Sequence, residues 1–249
     1  MLAKKHANIA DLQFSQKIHV YKSNGEFHRA FSETLSLIGT DTSFIRLLDE
    51  NGEELASHSR KLTGPNAGVL GRPTLYDLLM IRDEGAIFEH LKLRGLPLKN
   101  ETELYSEKEG SLPYKPESTV ALTRHENRVA ITIGSERQAK DQQMPKAPQL
   151  WVEKDSYLPL RAVMPSAPES GFSSEPLDFR FSQYQVYGNP KSFLYPKSIQ
   201  VMRDGRLWLR IETLSVKALD SKTHPTSRVK SDIDGNTRDF IATYLKWIR

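Results

Sequence analysis

The sequence predicts a mainly β fold: a curved antiparallel sheet whose concave side is covered by short helices. Three observations predict it. Apolar residues alternate with a period of two over most of the chain, turn dipeptides punctuate the runs, and several late strands carry apolar side chains on both faces. Helical spacing is confined to 74–95 and 237–248.

The first strand is read from Leu12, Phe14, Gln16, Ile18 and Val20, which alternate with Asp11, Gln13, Ser15, Lys17 and His19. Asn24-Gly25 then supplies a hairpin turn, followed by a longer run from Phe27 to Ile38, the run "SFIRLLD" and a second turn at Asn51-Gly52. Asn-Gly between apolar runs is a strong short-range hairpin signal, so 11–72 reads as a β-meander.

The Gly/Pro-rich "TGPNAGVLGRP" breaks this pattern. Thr74 and Asp77 resemble a capping box, after which Leu75, Leu78 and Leu79 recur at helical spacing. Asp83 can cap a second helix carrying Ile87, Phe88 and Leu91, ended near Gly95. Strands resume over 118–216 with "TVALTRHENRVAITIG", turned at His125 to Asn127, and "PQLWVEKDSYLPLRAV", a hairpin with its Lys154-Asp155 turn in water. Pro159 cannot donate to a ladder, which puts it at a strand start, an edge or a bulge. Then come "LDFRFSQYQVYG", "LYPKSIQVMRD" and "GRLWLRIETLSV", the last two joined by Asp204-Gly205, a type I′ signal. Phe240, Ile241, Tyr244, Leu245 and Ile248 form the stripe of a closing helix over 237–248, with Asp234 or Asn236 as its cap. The whole of 1–249 reads as one domain.

Composition sets limits on function. With 38% hydrophobic residues among 249 the chain can bury a core, and its net charge of +4 is mild and scattered, which argues against a nucleic-acid face. The densest basic run, "KTHPTSRVK" from Lys222 to Lys230, reads as a solvated loop, with an anionic partner as the alternative. The absence of cysteine excludes a disulfide framework, thiolate chemistry and a cysteine-ligated zinc site. No apolar run reaches the ~20 residues of a membrane-spanning helix. "MLAKKHANIADLQF" lacks the continuous apolar core of a secretory signal, so the expectation is a cytosolic chain or one whose signal has been removed.

Catalytic chemistry finds no foothold. There is no HExxH, no paired spacing among the seven histidines, no GxSxG beyond the partial "IGSER" around Ser135, and no GxGxxG. "GPNAGVLG" lacks the lysine of a phosphate loop. The expectation is no metal, no cofactor, no catalytic residue and no enzyme.

The late strands are the informative ones. Leu207, Leu209 and Ile211 fill one face while Trp208 stands beside Arg210 and Glu212 on the other. Leu150 and Val152 share one face and Trp151 takes the opposite one, with Leu158, Leu160 and Ala162 continuing across the turn. Two tryptophans on an otherwise wet face require cover on both sides of the sheet. A curved sheet meets that need, and its concave face becomes a core or a cavity according to how fully it is filled.

The succession "PQLWVEKDSYLPLRAV", "LDFRFSQYQVYG" and "YPKSIQVMRDGRLWLRIETLSV" resembles the C-terminal half of the outer-membrane lipoprotein-sorting superfamily, the LolA/LolB-like periplasmic carriers and their receptor-like relatives. The resemblance covers about Gln149 to Val216, and the rest by order of elements; this chain is longer than the dedicated carriers and has long polar insertions. It implies an incomplete, strongly curved antiparallel β-barrel with helices plugging the open side. It further implies non-catalytic binding or transport of a lipid, lipoprotein acyl chain or other hydrophobic ligand in the cell envelope. The location implied is periplasmic or outer-membrane associated, with a membrane or envelope protein as a further partner and cytoplasmic as the alternative. The lining candidates are Leu150, Val152, Leu158, Leu160, Phe179, Phe181, Ile199, Val201, Leu207, Leu209 and Ile211. The lid candidates are Leu75, Leu78, Leu79, Ile87, Phe88 and Leu91. Two other readings stay open: a structural or interaction module of the same fold with a filled core, and a cytosolic enzyme whose site is assembled from distant residues.

Overall fold

Alternating side chains and left-handed turns build one sheet. The computed structural model describes residues 11–39, 42–61, 79, 120–134, 149–164, 176–188, 193–219 and 227–249. In chain order these form β1 (Leu12–Tyr21), β2 (Phe27–Ile38), β3 (Thr42–Leu48), β4 (Glu54–Lys61), β5 (Val120–His125), β6 (Arg128–Gly134), β7 (Gln149–Glu153), β8 (Pro159–Met164), β9 (Leu177–Tyr187), β10 (Phe193–Arg203), β11 (Arg206–Ala218), β12 (Arg228–Val229) and helix α1 (Gly235–Trp247). The strands make a single sheet in the order β12-β4-β3-β2-β1-β11-β10-β9-β8-β7-β6-β5, every pairing antiparallel. β12 and β5 stand at the two ends and do not pair with each other, so the barrel is incomplete. Two meanders, β1–β4 and β5–β11, meet at the β1–β11 seam.

The turns follow from their residues. Asp204 and Gly205 both take positive φ, 51° and 72°, the type I′ geometry expected of Asp-Gly. The β1–β2 and β3–β4 turns are longer and share the same backbone bonding. Lys22 N–H donates to Glu26 O and Gly25 N–H to Lys22 O; Asp49 N–H donates to Glu53 O and Gly52 N–H to Asp49 O. In each only the glycine, at φ 85° or 84°, occupies the left-handed region.

One apolar cluster covers the inner face. It joins Phe14 and Ile18 of β1, Leu35 of β2, Leu47 of β3, Leu150 of β7, Phe179 of β9, Ile199 of β10 and Leu209 of β11. Helix α1 lies on that same face, contributing Ile241, Tyr244 and Ile248 to the cluster, with Phe240 stacked on Phe31 at 4.7 Å between ring centroids. Asp234, not Asn236, caps the helix: its carboxylate accepts from Thr237 N at 2.9 Å and from Thr237 Oγ1 at 2.6 Å. The two helices expected over 74–95 lie outside the described residues except for Leu79, which is buried in the same cluster.

A polar row crosses this apolar face. Glu33, Gln16 and Thr213 stand directly opposite one another on β2, β1 and β11. Arg249 reaches them from the end of α1, donating to both carboxylate oxygens of Glu33, through Nε at 3.0 Å and through Nη2, and to Gln16 Oε1 at 2.7 Å. Tyr244 Oη donates to Glu33 Oε2 at 2.7 Å, Gln16 Nε2 to Thr213 Oγ1 at 2.9 Å, and Thr213 Oγ1 to Pro196 O at 3.0 Å. Glu33 and Arg249 are almost wholly buried, so removal of one leaves the other as an uncompensated charge in a low-dielectric setting.

β9 changes character midway. Leu177, Phe179 and Phe181 are buried, but Gln183 sits at φ 55°, and beyond it Val186 is 65% exposed. A left-handed residue inside a strand costs about 1–2 kcal/mol for an ordinary side chain and more for a β-branched one. Beyond Gln183 the pairing with β10 continues to Tyr187, Tyr184 and Tyr187 pack against the core, and Tyr184 Oη donates to Pro159 O at 2.8 Å.

Two outcomes follow for stability. Arg249→Met alone should lower unfolding free energy by about 3–5 kcal/mol in urea titrations, whereas Glu33→Met/Arg249→Met together should recover most of that loss. Gln183→Gly should be neutral or stabilising, and Gln183→Val should cost at least about 1 kcal/mol.

Candidate functional site

The sheet register lines up apolar residues across strands. Ile133 (β6), Leu150 (β7), Ala162 (β8), Phe179 (β9), Val201 (β10), Leu209 (β11) and Val20 (β1) are successive cross-strand partners. At ~4.8 Å between neighbours this row runs about 29 Å along the inner face. A second row, Phe181, Ile199, Ile211, Ile18 and Phe31, runs beside it from β9 to β2. The polar row of Thr213, Gln16 and Glu33 comes next, two residues further along the strands.

Of the eleven residues read from sequence as lining candidates, Leu150, Phe179, Phe181, Ile199, Val201, Leu209 and Ile211 share this inner cluster, and Val152 packs against it. Leu158 lies half-buried ahead of β8 and belongs to neither apolar cluster. Two placements depart from simple alternation, each at a bulge. Trp151 pairs with Arg161 but Val152 with Pro159, so Leu160 is an extra residue and turns to a second cluster with Ala130, Trp151 and Val163. Val201 pairs with Leu209 but Met202 with Leu207, so Trp208 is the extra residue. Trp208, expected beside Arg210 and Glu212, instead packs against the inner cluster, while Leu207 lines a groove at the rim.

The opposite face over β7–β9 is also covered, as the tryptophan on it requires. The Arg161 guanidinium lies over the Trp151 ring at 4.7 Å and donates to Asp178 through Nε at 2.8 Å and Nη2 at 3.0 Å. Arg180 approaches the same carboxylate with Nε at 3.2 Å and Nη2 at 3.1 Å. Asp178 is fully buried, and two guanidiniums provide the compensation a buried carboxylate needs. Neither this cluster nor the Glu33–Arg249 network was singled out from sequence. Their signal was present in Gln16 and Glu33 at apolar-face positions and in Asp178 beside Phe179.

Burial pushes the His125 imidazolium's pKa below the ordinary 6.5, with Glu126 opposing and Arg161 and Arg180 reinforcing the shift. Burial also raises the Tyr184 phenol well above its usual range, so it stays a neutral donor to Pro159 O. Among the described residues no group of three His, Cys, Asp or Glu side chains stands at metal-binding geometry, and no helix is long and apolar enough to cross a membrane.

No family model and no curated protein matches the chain. Solved structures similar to it include a LolA superfamily protein from Nitrosomonas europaea, 9% identical, with 88% of this chain and 91% of that one covered at a TM-score of 0.44. Another is a domain described as an outer membrane lipoprotein-sorting protein domain from Vibrio parahaemolyticus, 10% identical, with 98% and 95% covered at 0.43. A third is a DUF1329 family protein from Desulfovibrio piger, 10% identical, with 90% and 92% covered at 0.39.

The pH dependence of stability follows from the histidines. His19, His58 and His125 all have folded-state pKa values lowered chiefly by burial. The unfolded chain therefore binds these protons more readily, and stability is lost as pH falls below about 6.5 towards the folded values. Thermal melts from neutral pH downward should show that decline, and His125→Gln should shallow it; an unchanged slope would remove His125 from the account.

Proposed function

We propose that the chain is a non-catalytic binder or carrier of a lipid, a lipoprotein acyl chain or another hydrophobic ligand, held against the inner face of the sheet on β6–β10. The observation that carries this reading is the reach of the apolar inner face, which runs well beyond the strands that α1 is fastened to. The inner rows extend to β6, whereas α1, the one helix among the described residues, is fastened over β1 and β2 by Phe31, Glu33 and Gln16. Leu150, Val152, Phe179 and Phe181 form the part of the wall furthest from α1's anchors. The cover proposed there is the 74–95 segment with Leu75, Leu78, Leu79, Ile87, Phe88 and Leu91, of which Leu79 is buried in the inner cluster.

Such a site needs no polar chemistry. Each methylene taken from water contributes about 0.8 kcal/mol, so one long chain supplies useful affinity by burial alone. Release then requires the cover to open. The strand motifs over Gln149 to Val216 support a setting in the cell envelope, periplasmic or associated with the outer membrane.

Native mass spectrometry of protein gently extracted from a cell envelope should show a lipid-sized adduct that organic extraction removes. Val152→Trp, which adds volume at the wall without adding charge, should reduce uptake of a hydrophobic fluorophore several-fold, and a thermal melt should report separately the cost of overpacking, about 1–3 kcal/mol. A clean apo mass with no fluorophore uptake would instead favour the filled-core interaction module.

A further inference from the structure

The two ends of the sheet are finished differently. At one end β12 is only two residues long, Arg228–Val229, both exposed, and it is flanked by charge: Arg228 Nε donates to Glu54 Oε1 at 3.1 Å and Lys230 Nζ to Glu53 Oε2 at 2.9 Å. A very short, charged last strand keeps other strands from adding to a sheet. At the other end β5 has six residues, Val120–His125, with a register to β6 free of bulges, no proline, and Arg124 as its one permanent charge. Among the described residues nothing pairs with its outer edge.

β5 is nonetheless well formed. Glu126 and Asn127 take φ 47° and 66°, the type I′ hairpin geometry, and Thr123 Oγ1 lies 3.0 Å from Thr132 Oγ1 across the two strands. A two-residue turn makes His125 and Arg128 a hydrogen-bonded pair, so the backbone groups of Ala121, Thr123 and His125 face β6 and those of Val120, Leu122 and Arg124 face outward. The edge is also apolar where the inner face runs out. Leu122, Ile131 and Val152 are successive cross-strand partners, and Val152 packs against the inner cluster. Yet Leu122, at the end of this row, is 64% exposed, and Val129, diagonal to it, is 42% exposed.

We propose that β5 pairs with β5 of a second copy of this chain, antiparallel, about a two-fold axis normal to the sheet and centred on Leu122. The outward backbone groups fit that register: Leu122 meets Leu122 of the partner subunit, and Val120 meets the partner's Arg124, each as a hydrogen-bonded pair. Charge fits it too, since the two Arg124 positions stand four residues apart along the strands, about 14 Å, and neither faces a cation. A second copy, unlike an unrelated strand, brings the same exposed leucine and valine from its own side, so each apolar row is continued by its counterpart. The joined edge spans only six residues on each side, which places the dimer among the small, concentration-dependent interfaces. This pairing goes beyond the ligand reading and does not require the inner face to hold anything.

Sedimentation velocity of the full chain over a concentration series tests it. A monomer–dimer equilibrium should appear. Leu122→Lys, which sets two lysines opposite each other, should weaken it about tenfold or more, whereas Val229→Lys at the β12 end should leave it unchanged. Because the chain has no cysteine, Leu122→Cys supplies one thiol per copy. Mild oxidation should join two copies through it, since the Cα atoms of a hydrogen-bonded antiparallel pair stand about 5.5 Å apart, within disulfide reach. Val186→Cys, as exposed on β9 as Leu122 is on β5, should not crosslink. All variants should keep the wild-type melt in dilute solution. A chain that stays monomeric at every concentration, which would leave the edge to a strand of another protein, would overturn the proposal. A dimer indifferent to Leu122→Lys, or equal crosslinking through Val186→Cys, would overturn it as well.

Discussion

The buried pair between Glu33 and Arg249 is the interaction on which the arrangement of the inner face depends. Two charges in an apolar interior are tolerable only when geometry and additional hydrogen bonds satisfy them, and here Gln16 and Tyr244 complete the set. The pair adds little net stability relative to a well-packed apolar alternative; what it adds is position. A helix held to a sheet by leucines and phenylalanines can slide or rotate by a turn with modest loss. One held by Arg249 on a single glutamate cannot do so without leaving a bare charge behind, so α1 has one seat on β1 and β2.

The same logic operates on the other face at Asp178. A carboxylate there would be intolerable on an uncovered apolar surface and needless on a wet one. Arg161 serves it and Trp151 together, which links β7, β8 and β9 across their outer side. The sheet is therefore pinned by charge at two places on opposite faces, with apolar rows between them.

Much of this was legible in the residues. Period-two alternation located the strands of both meanders, and Asp204-Gly205 located its turn, because those signals are local and the backbone obeys them locally. The C-terminal stripe of Phe240, Ile241 and Tyr244 was legible for the same reason. The failures were non-local. Leu160 and Trp208 lie at bulges, and a bulge exists only relative to a partner strand, so no property of either strand alone announces it. One extra residue inverts the facing of its neighbours, and alternation then assigns Trp208 to the wrong side. Gln16 and Glu33 stood in plain view at apolar-face positions, yet their meaning needed Arg249, which the chain brings to them from more than two hundred residues away. The split of the eleven lining candidates has the same origin: seven obey the ladder, and Leu160 and Leu207 follow the bulges.

The β1–β11 seam has a consequence in time as well as in space. Each meander is a series of neighbouring hairpins that can pair as soon as its own residues are available. The seam joins Gln16 to Thr213 across 197 positions, and closing so long a loop is entropically expensive until many contacts form together. The central contact of the sheet is thus reached only late along the chain, and the short β12 and α1 follow it. Until then two half-sheets stand with unpaired edges and uncovered apolar faces, the state in which a β protein is most exposed to association with its own copies. The twelve strands of the described residues, arranged in this order, tie correct assembly to the arrival of the final quarter of the sequence.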